Sequence, residues 1–358
     1  MKNNIKSIYI HIPFCRKICN YCDFSKLYYN KSFIKDYLNE LEKEIGKNYK
    51  NELIDTLYIG GGTPSSLKGE ELNKLFSIVN KIKLSKEYEF TFECNIEDIN
   101  ESLLKTLKTN RVNRISVGVE SFNKKVLKKL GRTSNINVNQ KIDLIKKYFT
   151  NVNIDLIYGI SDQTMKELEF DLKKFISLDI NHISIYSLIL EDHTILKINK
   201  YREISDNKSR QMYDYICSFL KDYGYNHYEI SNFEKNNTPS KHNLTYWNNE
   251  KYYGFGLGAA GYVDNIRYIN TRSITNYLKG NYVYEKEIIT GKTDMENYMI
   301  LGLRKTKGVS NTEFKKRYNK SIENIFNVNK LDKQDDYYYI NENNLYISNY
   351  ILQDFIDI

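Results

Sequence analysis

The sequence predicts an α/β fold: a parallel sheet curled into a partial, TIM-like (β/α)6 barrel, followed by a small C-terminal α+β domain of winged-helix-like pattern. Three observations predict it. Six strand-type apolar runs recur through the first half of the chain, with helical periodicity between them. Six β/α units in series call for parallel strands, because each crossover helix returns the chain to the same end of the sheet. The alternation fades after about residue 190 and a new helical pattern begins near residue 293. Six units are two short of a closed eight-unit barrel, hence a partial one.

The strands are read in order as Ser7–Ile12, Thr56–Gly60, Glu89–Cys94, Arg114–Glu120, Asn151–Gly159 and His182–Leu188. After the first, Phe33, Ile34, Tyr37, Leu38, Leu41 and Ile45 form one apolar helical stripe. After the second, Leu72, Leu75, Phe76, Val79 and Ile82 form another. Period-two alternation then orients the strand side chains. Phe90, Phe92 and Cys94 share one face, which meets helices and makes Cys94 core; Thr91 and Glu93 share the face turned into the barrel. Ser116, Gly118 and Glu120 oppose Ile115, Val117 and Val119 in the same way, and Asn153 and Asp155 oppose Val152, Ile154 and Leu156. Carboxylates aimed inward on successive strands are costly unless they meet a ligand, or Lys or Arg in an ion pair.

Beyond residue 190 a helix is read near Ser209–Tyr223. An irregular stretch follows, with YEISNF at Tyr228–Phe233, KHNLTYW at Lys241–Trp247 and a glycine-rich run at Gly254–Tyr262. Helices at Met295–Ser310 and Asn311–Tyr318 and a strand pair within Tyr337–Ile347 complete the chain. The expected division is 1–190, 191–290 and 291–358. The C-terminal helix-turn-helix-like pattern lacks a dense basic face, so it reads as a cap on the barrel, and no nucleic-acid partner is expected.

Composition narrows the class. With 358 residues, 41% of them apolar, the chain has room for a packed core, which excludes wholesale disorder and a collagen-like repeat. Mean hydropathy is −0.59, and no apolar run reaches the ~18 residues a membrane span needs. The opening MKNNIKSIYI lacks the apolar core and cleavage site of a secretion signal, so a cytoplasmic protein is expected. The net charge of +8, from 53 basic and 45 acidic residues, is spread along the chain and permits anionic ligands. The 32 tyrosines accompany only 3 prolines and much Lys, Asn and Ile, a composition of A- and T-rich coding, so tyrosine content is not read as function. Of five cysteines, three fall in one eight-residue window. That favours metal or redox chemistry in a reducing compartment over a disulfide framework.

Cys15, Cys19 and Cys22 are spaced C-x-x-x-C-x-x-C, just past the first strand. A structural zinc wants a fourth ligand, and no Cys or His closely follows Cys22, while His11 lies within the strand. Three thiolates on a 4Fe–4S cluster leave one iron open for a small chelating molecule, and this reading is preferred to zinc or a disulfide. Gly60-Gly61-Gly62-Thr63-Pro64 ends the second strand; on its own it is a tight turn or a place where backbone approaches a ligand.

On the cysteine motif the chain resembles the radical S-adenosylmethionine (SAM) superfamily. The run Tyr9-Ile10-His11-Ile12-Pro13-Phe14-Cys15 resembles the branch that holds oxygen-independent coproporphyrinogen III dehydrogenases and HemW-type haem chaperones. The resemblance implies that the open iron takes SAM. It also implies that Tyr9 and Tyr21 flank the adenosyl moiety, and that Gly61, Gly62, Thr63, Glu93, Glu120, Arg132 and Asp155 contact the cofactor. The chain departs from the pattern at Glu120, where Gln is usual, at Ser134, where His is common, and at Gly159–Thr164, where GISDQT replaces Gly-Leu-Pro-Gly-Gln-Thr.

Two departures favour the chaperone branch. Phe24 stands where the dehydrogenases carry a fourth Cys, and the first Cys is residue 15, without the dehydrogenases' N-terminal cover. His242-Asn243-Leu244-Thr245-Tyr246-Trp247 fits the H-N-x-x-Y-W motif of the chaperones. The resemblance thus implies haem held by His242 as axial ligand, with Asn243, Tyr246 and Trp247 about the macrocycle. Ala260 stands where relatives often have His; His182, His193 and His227 read as structural or exposed, and Cys217 as core. The expected function is delivery of haem to an acceptor haemoprotein, a respiratory one at the membrane. Oxidative decarboxylation of coproporphyrinogen III is the alternative, and an anaerobic haem-degrading methyltransferase a third reading. No catalytic residue is assigned.

Overall fold

The computed structural model describes residues 5–133 and 135–356. Six strands, β1 (Ser7–Ile12), β2 (Ile54–Gly61), β3 (Leu84–Asn95), β4 (Arg114–Glu120), β5 (Asn151–Tyr158) and β6 (His182–Ser187), are parallel neighbours in chain order. Helices Lys31–Asn48, Glu70–Val79, Glu101–Thr109, Val138–Lys146 and Met165–Ser177 cross between them. Apolar residues of the helices, such as Leu38, Leu41, Leu75 and Phe76, bury against the outward strand residues Ile8, Leu57, Phe90, Phe92 and Ile115. β3 begins five residues before the sequence suggested. The added residues are polar and partly exposed, with Lys86 and Glu87 in water; Leu84 pairs with Ile54 and the register then shifts to set Glu89 opposite Thr56.

The stretch that looked irregular adds six more strands to the same sheet. β7 (Asn226–Glu229) and β8 (Asn232–Glu234) continue it antiparallel beyond β6. β9 (Tyr252–Phe255) lies parallel to β1 on the opposite flank, and β10 (Ala260–Val263), β11 (Ile266–Asn270) and β12 (Val283–Ile288) follow as a meander. The order is β12-β11-β10-β9-β1-β2-β3-β4-β5-β6-β8-β7, with every residue of the edge strand β12 exposed.

Topology now dictates what joins β8 to β9. They lie on opposite flanks of the barrel, so the chain between them must cross beneath it. The helix Lys241–Trp247 makes that crossing and sits at the N-terminal ends of the barrel strands, against Ser7 and Thr56. On the β9 flank, Glu44 of helix Lys31–Asn48 accepts bonds from the Gly256 amide at 2.9 Å, Asn270 Nδ2 at 2.7 Å and the Tyr277 hydroxyl at 2.6 Å. Burial pushes this carboxyl up to about 7.

The C-terminal unit has helices Gly291–Gly302 and Asn311–Tyr318 and a three-stranded sheet of Val309–Ser310, Tyr337–Tyr339 and Asp332–Gln334. Two boundaries differ from the sequence reading. The first helix stops at Gly302, where a Cβ would strike Val309, and Gly308 reverses the chain at φ +73°. The hairpin turns at Asp335, φ +52°, so its strands are 332–334 and 337–339, while Glu342–Ile347 is a 3-10 segment.

Candidate functional site

A cavity of about 620 Å³ opens at the C-terminal ends of the barrel strands, the end at which parallel barrels build their sites. The loop after β1 brings Cys15, Cys19 and Cys22 to its wall. The turn after β2 lies against that loop. A side chain at Gly62 would sit 2.6 Å from Pro13 O and 2.9 Å from Cys15 Sγ, and Gly61 holds φ +125°, so only glycine lets the two segments meet. Thr63 Oγ1 donates to Cys15 Sγ at 3.4 Å, and Arg132 Nη1 approaches Cys19 Sγ at 3.7 Å.

Among the described residues, no three His, Cys, Asp or Glu side chains converge tightly enough for a single metal ion. Three spaced thiols on one wall, with donors aimed at two of the sulfurs, suit a cluster in which separate irons each take one thiolate.

Opposite the cysteines stand three carboxylates. Glu93 accepts from Tyr58 OH at 2.6 Å and from the Gly61 amide at 3.0 Å. Asp155 accepts from Asn153 Nδ2 at 2.9 Å and Ser116 Oγ at 3.3 Å. A register shift between Gly118 and Glu120, with Glu120 at φ +66°, ends β4 beside Arg132, whose Nη2 lies 3.0 Å from the Glu120 carboxylate. Arg132 also donates to Gly118 O at 2.6 Å and Asn95 Oδ1 at 2.9 Å. Burial, helped by Asp155 and Glu120, pushes Glu93 up to about 7. Burial likewise raises Glu120 to about 7 although Arg132 pulls it down, and it raises Asp155. The choice between ligand and ion pair therefore divides. Glu120 has its arginine, while Glu93 and Asp155 have no cation in ion-pair range among the described residues. The cleft holds buried negative charge that a cationic ligand would neutralise.

Of the predicted cofactor contacts, Tyr21, Gly61, Gly62, Thr63, Glu93, Glu120, Arg132 and Asp155 line this cavity. Tyr9 does not. It lies a layer deeper, its hydroxyl 3.0 Å from His11 Nδ1 and its ring against Tyr58 at 5.9 Å. His11 Nε2 donates to the Ser25 carbonyl at 2.7 Å, so its Nδ1 accepts and Tyr9 is the donor. Ser134 lies outside the described residues. Sequence reasoning missed Tyr58 and Asn95, which line the cavity, and the apolar rim of Ile18, Phe24 and Ile189. The alternation used for β3 would have found Tyr58, since Thr56, Tyr58 and Gly60 share the inward face of β2.

The H-N-x-x-Y-W residues lie elsewhere. The helix Lys241–Trp247 closes the floor of the barrel, and the Glu89 carboxylate of β3 accepts the amides of Lys241 and His242, each at 3.0 Å. His242 is 1% exposed. Its Nδ1 meets Thr56 Oγ1 at 2.9 Å and its Nε2 meets Tyr246 OH at 2.8 Å. The bond directions form one chain: Thr245 gives its proton to Lys241 O, Ser7 to Thr245, and Thr56 to Ser7. Thr56 is left to accept, so His242 carries its proton on Nδ1 and takes Tyr246's on Nε2. Burial, with Arg114 nearby, pushes its pKa down to about 3, and the ring is neutral. Asn243 is half-buried and its backbone N–H donates to the capping Ser240 Oγ at 3.3 Å. Trp247 is half-buried, with its indole N–H unpartnered among the described residues. The expected open ligand is thus a closed one in this structure, because a helix forced to cross under the barrel buries its inward side. His182 is a second interior imidazole, bonded to Asn153 and Tyr228. Cys94 is buried and Cys217 half-buried.

The radical SAM superfamily matches residues 9–175. The heme chaperone HemW of Lactococcus lactis is 42% identical over 330 residues, 89% of this chain and 87% of its own. HemW of Bacillus subtilis is 39% identical over 344 residues, 90% of this chain and 89% of its own. Among solved structures, coproporphyrinogen III oxidase (HemN) from Escherichia coli aligns with a TM-score of 0.87 over 99% of this chain and 91% of its own, at 19% identity, a likeness of fold. With relatives this similar over nine-tenths of its length, the chain belongs to the HemW heme chaperone family of the radical SAM superfamily.

Proposed function

We propose that the chain is a haem chaperone, which binds haem and passes it to an acceptor haemoprotein while keeping a 4Fe–4S cluster and exchangeable SAM in the cleft. The observation that carries this reading is the extent of the relationship: 42% identity to a heme chaperone runs far past the barrel half of the chain. Phe24, 68% exposed at the cleft rim, adds to it, since the dehydrogenase pattern puts a thiol there.

In this reading Cys15, Cys19 and Cys22 hold the cluster. Bound there, it supplies an open iron for the amino and carboxylate groups of SAM and, when reduced, one electron to its sulfonium. Thr63 and Arg132 would support the cluster through their hydrogen bonds to the Cys15 and Cys19 sulfurs. Glu93 fixes the glycine turn through the Gly61 amide, Asp155 and Glu120 supply negative charge, and Tyr21 walls the adenosyl side. His242 is the haem ligand, with Asn243, Tyr246 and Trp247 beside it; since both its nitrogens are engaged at the floor, ligation requires the helix Lys241–Trp247 to move. The acceptor is a respiratory haemoprotein at the membrane, met from the cytoplasm. No helix of the described residues is long and apolar enough to span a membrane.

Anaerobic cluster reconstitution, followed by haem titration beside a coproporphyrinogen III turnover assay, tests the reading. Stoichiometric haem binding that is lost in His242→Ala, without protoporphyrinogen formation, is expected. Turnover to protoporphyrinogen would replace the chaperone reading by the dehydrogenase.

A further inference from the structure

The floor helix and the cofactor cleft are separated by a single side chain. The His242 ring lies against the Tyr58 ring, centroids 5.0 Å apart and planes 30° apart. The Tyr58 hydroxyl donates to Glu93 at 2.6 Å, and the other Glu93 oxygen holds the Gly61 amide at 3.0 Å. Tyr58 lines the cleft above, and His242 is pinned below through Thr56 and Tyr246. Side chains packed this closely shift together or not at all.

We propose that His242 is a positioning residue for the SAM pocket, acting through Tyr58 and Glu93 on the glycine turn. Combined with the haem-carrier reading, on which this step rests, the arrangement makes haem and SAM opponents. His242 cannot support Tyr58 and ligate iron at once, because both ring nitrogens are spent and the ring is enclosed. Haem ligation withdraws the ring from beneath Tyr58, while SAM, by fixing Glu93 and Tyr58, holds the floor shut. Linkage makes the effect reciprocal: the factor by which SAM weakens haem binding equals the factor by which haem weakens SAM binding.

The test uses the full chain with its cluster reconstituted anaerobically. Haem is titrated optically with and without saturating SAM, and SAM binding is measured by equilibrium dialysis with and without haem. A weakening of roughly fivefold or more, equal in both directions, is expected. Tyr58→Phe keeps the ring but drops the bond to Glu93; it is expected to weaken SAM binding and to remove the shift SAM causes in the haem curve. Hydrogen exchange at residues 241–247 should quicken with haem and slow with SAM. Haem curves that coincide with and without SAM overturn the coupling. His242→Ala separates the two claims. A haem spectrum unchanged in that variant sinks the ligand reading, whereas SAM affinity unchanged in it sinks the positioning role. Should His242→Ala fail to fold, unaltered SAM affinity in Tyr58→Phe overturns the proposal.

Discussion

Glu93 and Glu120 are held near 7 by burial in a cleft that also contains Asp155 and Arg132. A bound cation favours their charged forms and lowers both values, so binding expels protons. SAM affinity should therefore rise with pH between about 6 and 8, by up to tenfold per unit for each proton released. Calorimetry in buffers of different ionisation enthalpy would show it, and a flat profile with no proton release would contradict it. Glu93→Gln should weaken SAM roughly tenfold, the cost of losing a charged acceptor for the Gly61 amide and Tyr58. Cys19→Ser should lose iron and the visible absorbance of the cluster, while Cys94→Ser, buried in the core cluster although it also borders the cleft, should keep both. At this scale much was legible. Strand alternation turns Glu93, Glu120 and Asp155 inward, and the family resemblance adds Tyr21, Gly61, Gly62, Thr63 and Arg132; all eight line the cleft. Tyr9, named by resemblance alone, does not line the cleft, because a motif gives a residue type but not its height along the barrel axis. A motif gives residue types but not which side of a helix is pressed inward, which is why His242 looked open.

Among the elements, helix Lys31–Asn48 and the floor helix carry the clearest consequences. Glu44 gathers three buried donors from the β9–β12 flank. Glu44→Ala leaves them unsatisfied and should cost about 3 kcal/mol, read as a lower denaturation midpoint. Glu89→Ala uncaps the floor helix and should cost about 1–2 kcal/mol. Amide exchange should then rise across residues 241–247 while the barrel strands keep their protection. The six barrel strands were legible because each is an apolar run between helical stripes. The six flanking strands were not, because they are three to six residues long and a window that short shows no period.

As a whole, the described residues build one twelve-stranded sheet, with the cysteine-bearing cleft at one end of its barrel, the helix Lys241–Trp247 at the other, and a C-terminal unit with its own small sheet. Asp294 joins these parts: it accepts from Asn249, just past the floor helix, from Tyr262 in β10 and from Tyr318 in the C-terminal unit. Asp294→Ala should cost about 2–3 kcal/mol and make the segment near residue 290 the first point cut in limited proteolysis. Fold class was readable from the chain because alternation of strand and helix is a global signal. The passage under the barrel was not, since it follows from which flanks β8 and β9 occupy. The sheet also ends in a fully exposed strand, β12, with sequence Val-Tyr-Glu-Lys-Glu-Ile. An unpaired edge is a template for another chain. Antiparallel pairing of two copies centred on Lys286 would set lysine opposite lysine and each Glu285 opposite a Glu287, a juxtaposition of like charges that cross-strand pairs disfavour. The acidic–basic–acidic triplet thus disfavours that twofold, closed dimer in this register, and removing the lysine pair in Lys286→Val would ease it only in part, since each Glu285 still meets a Glu287.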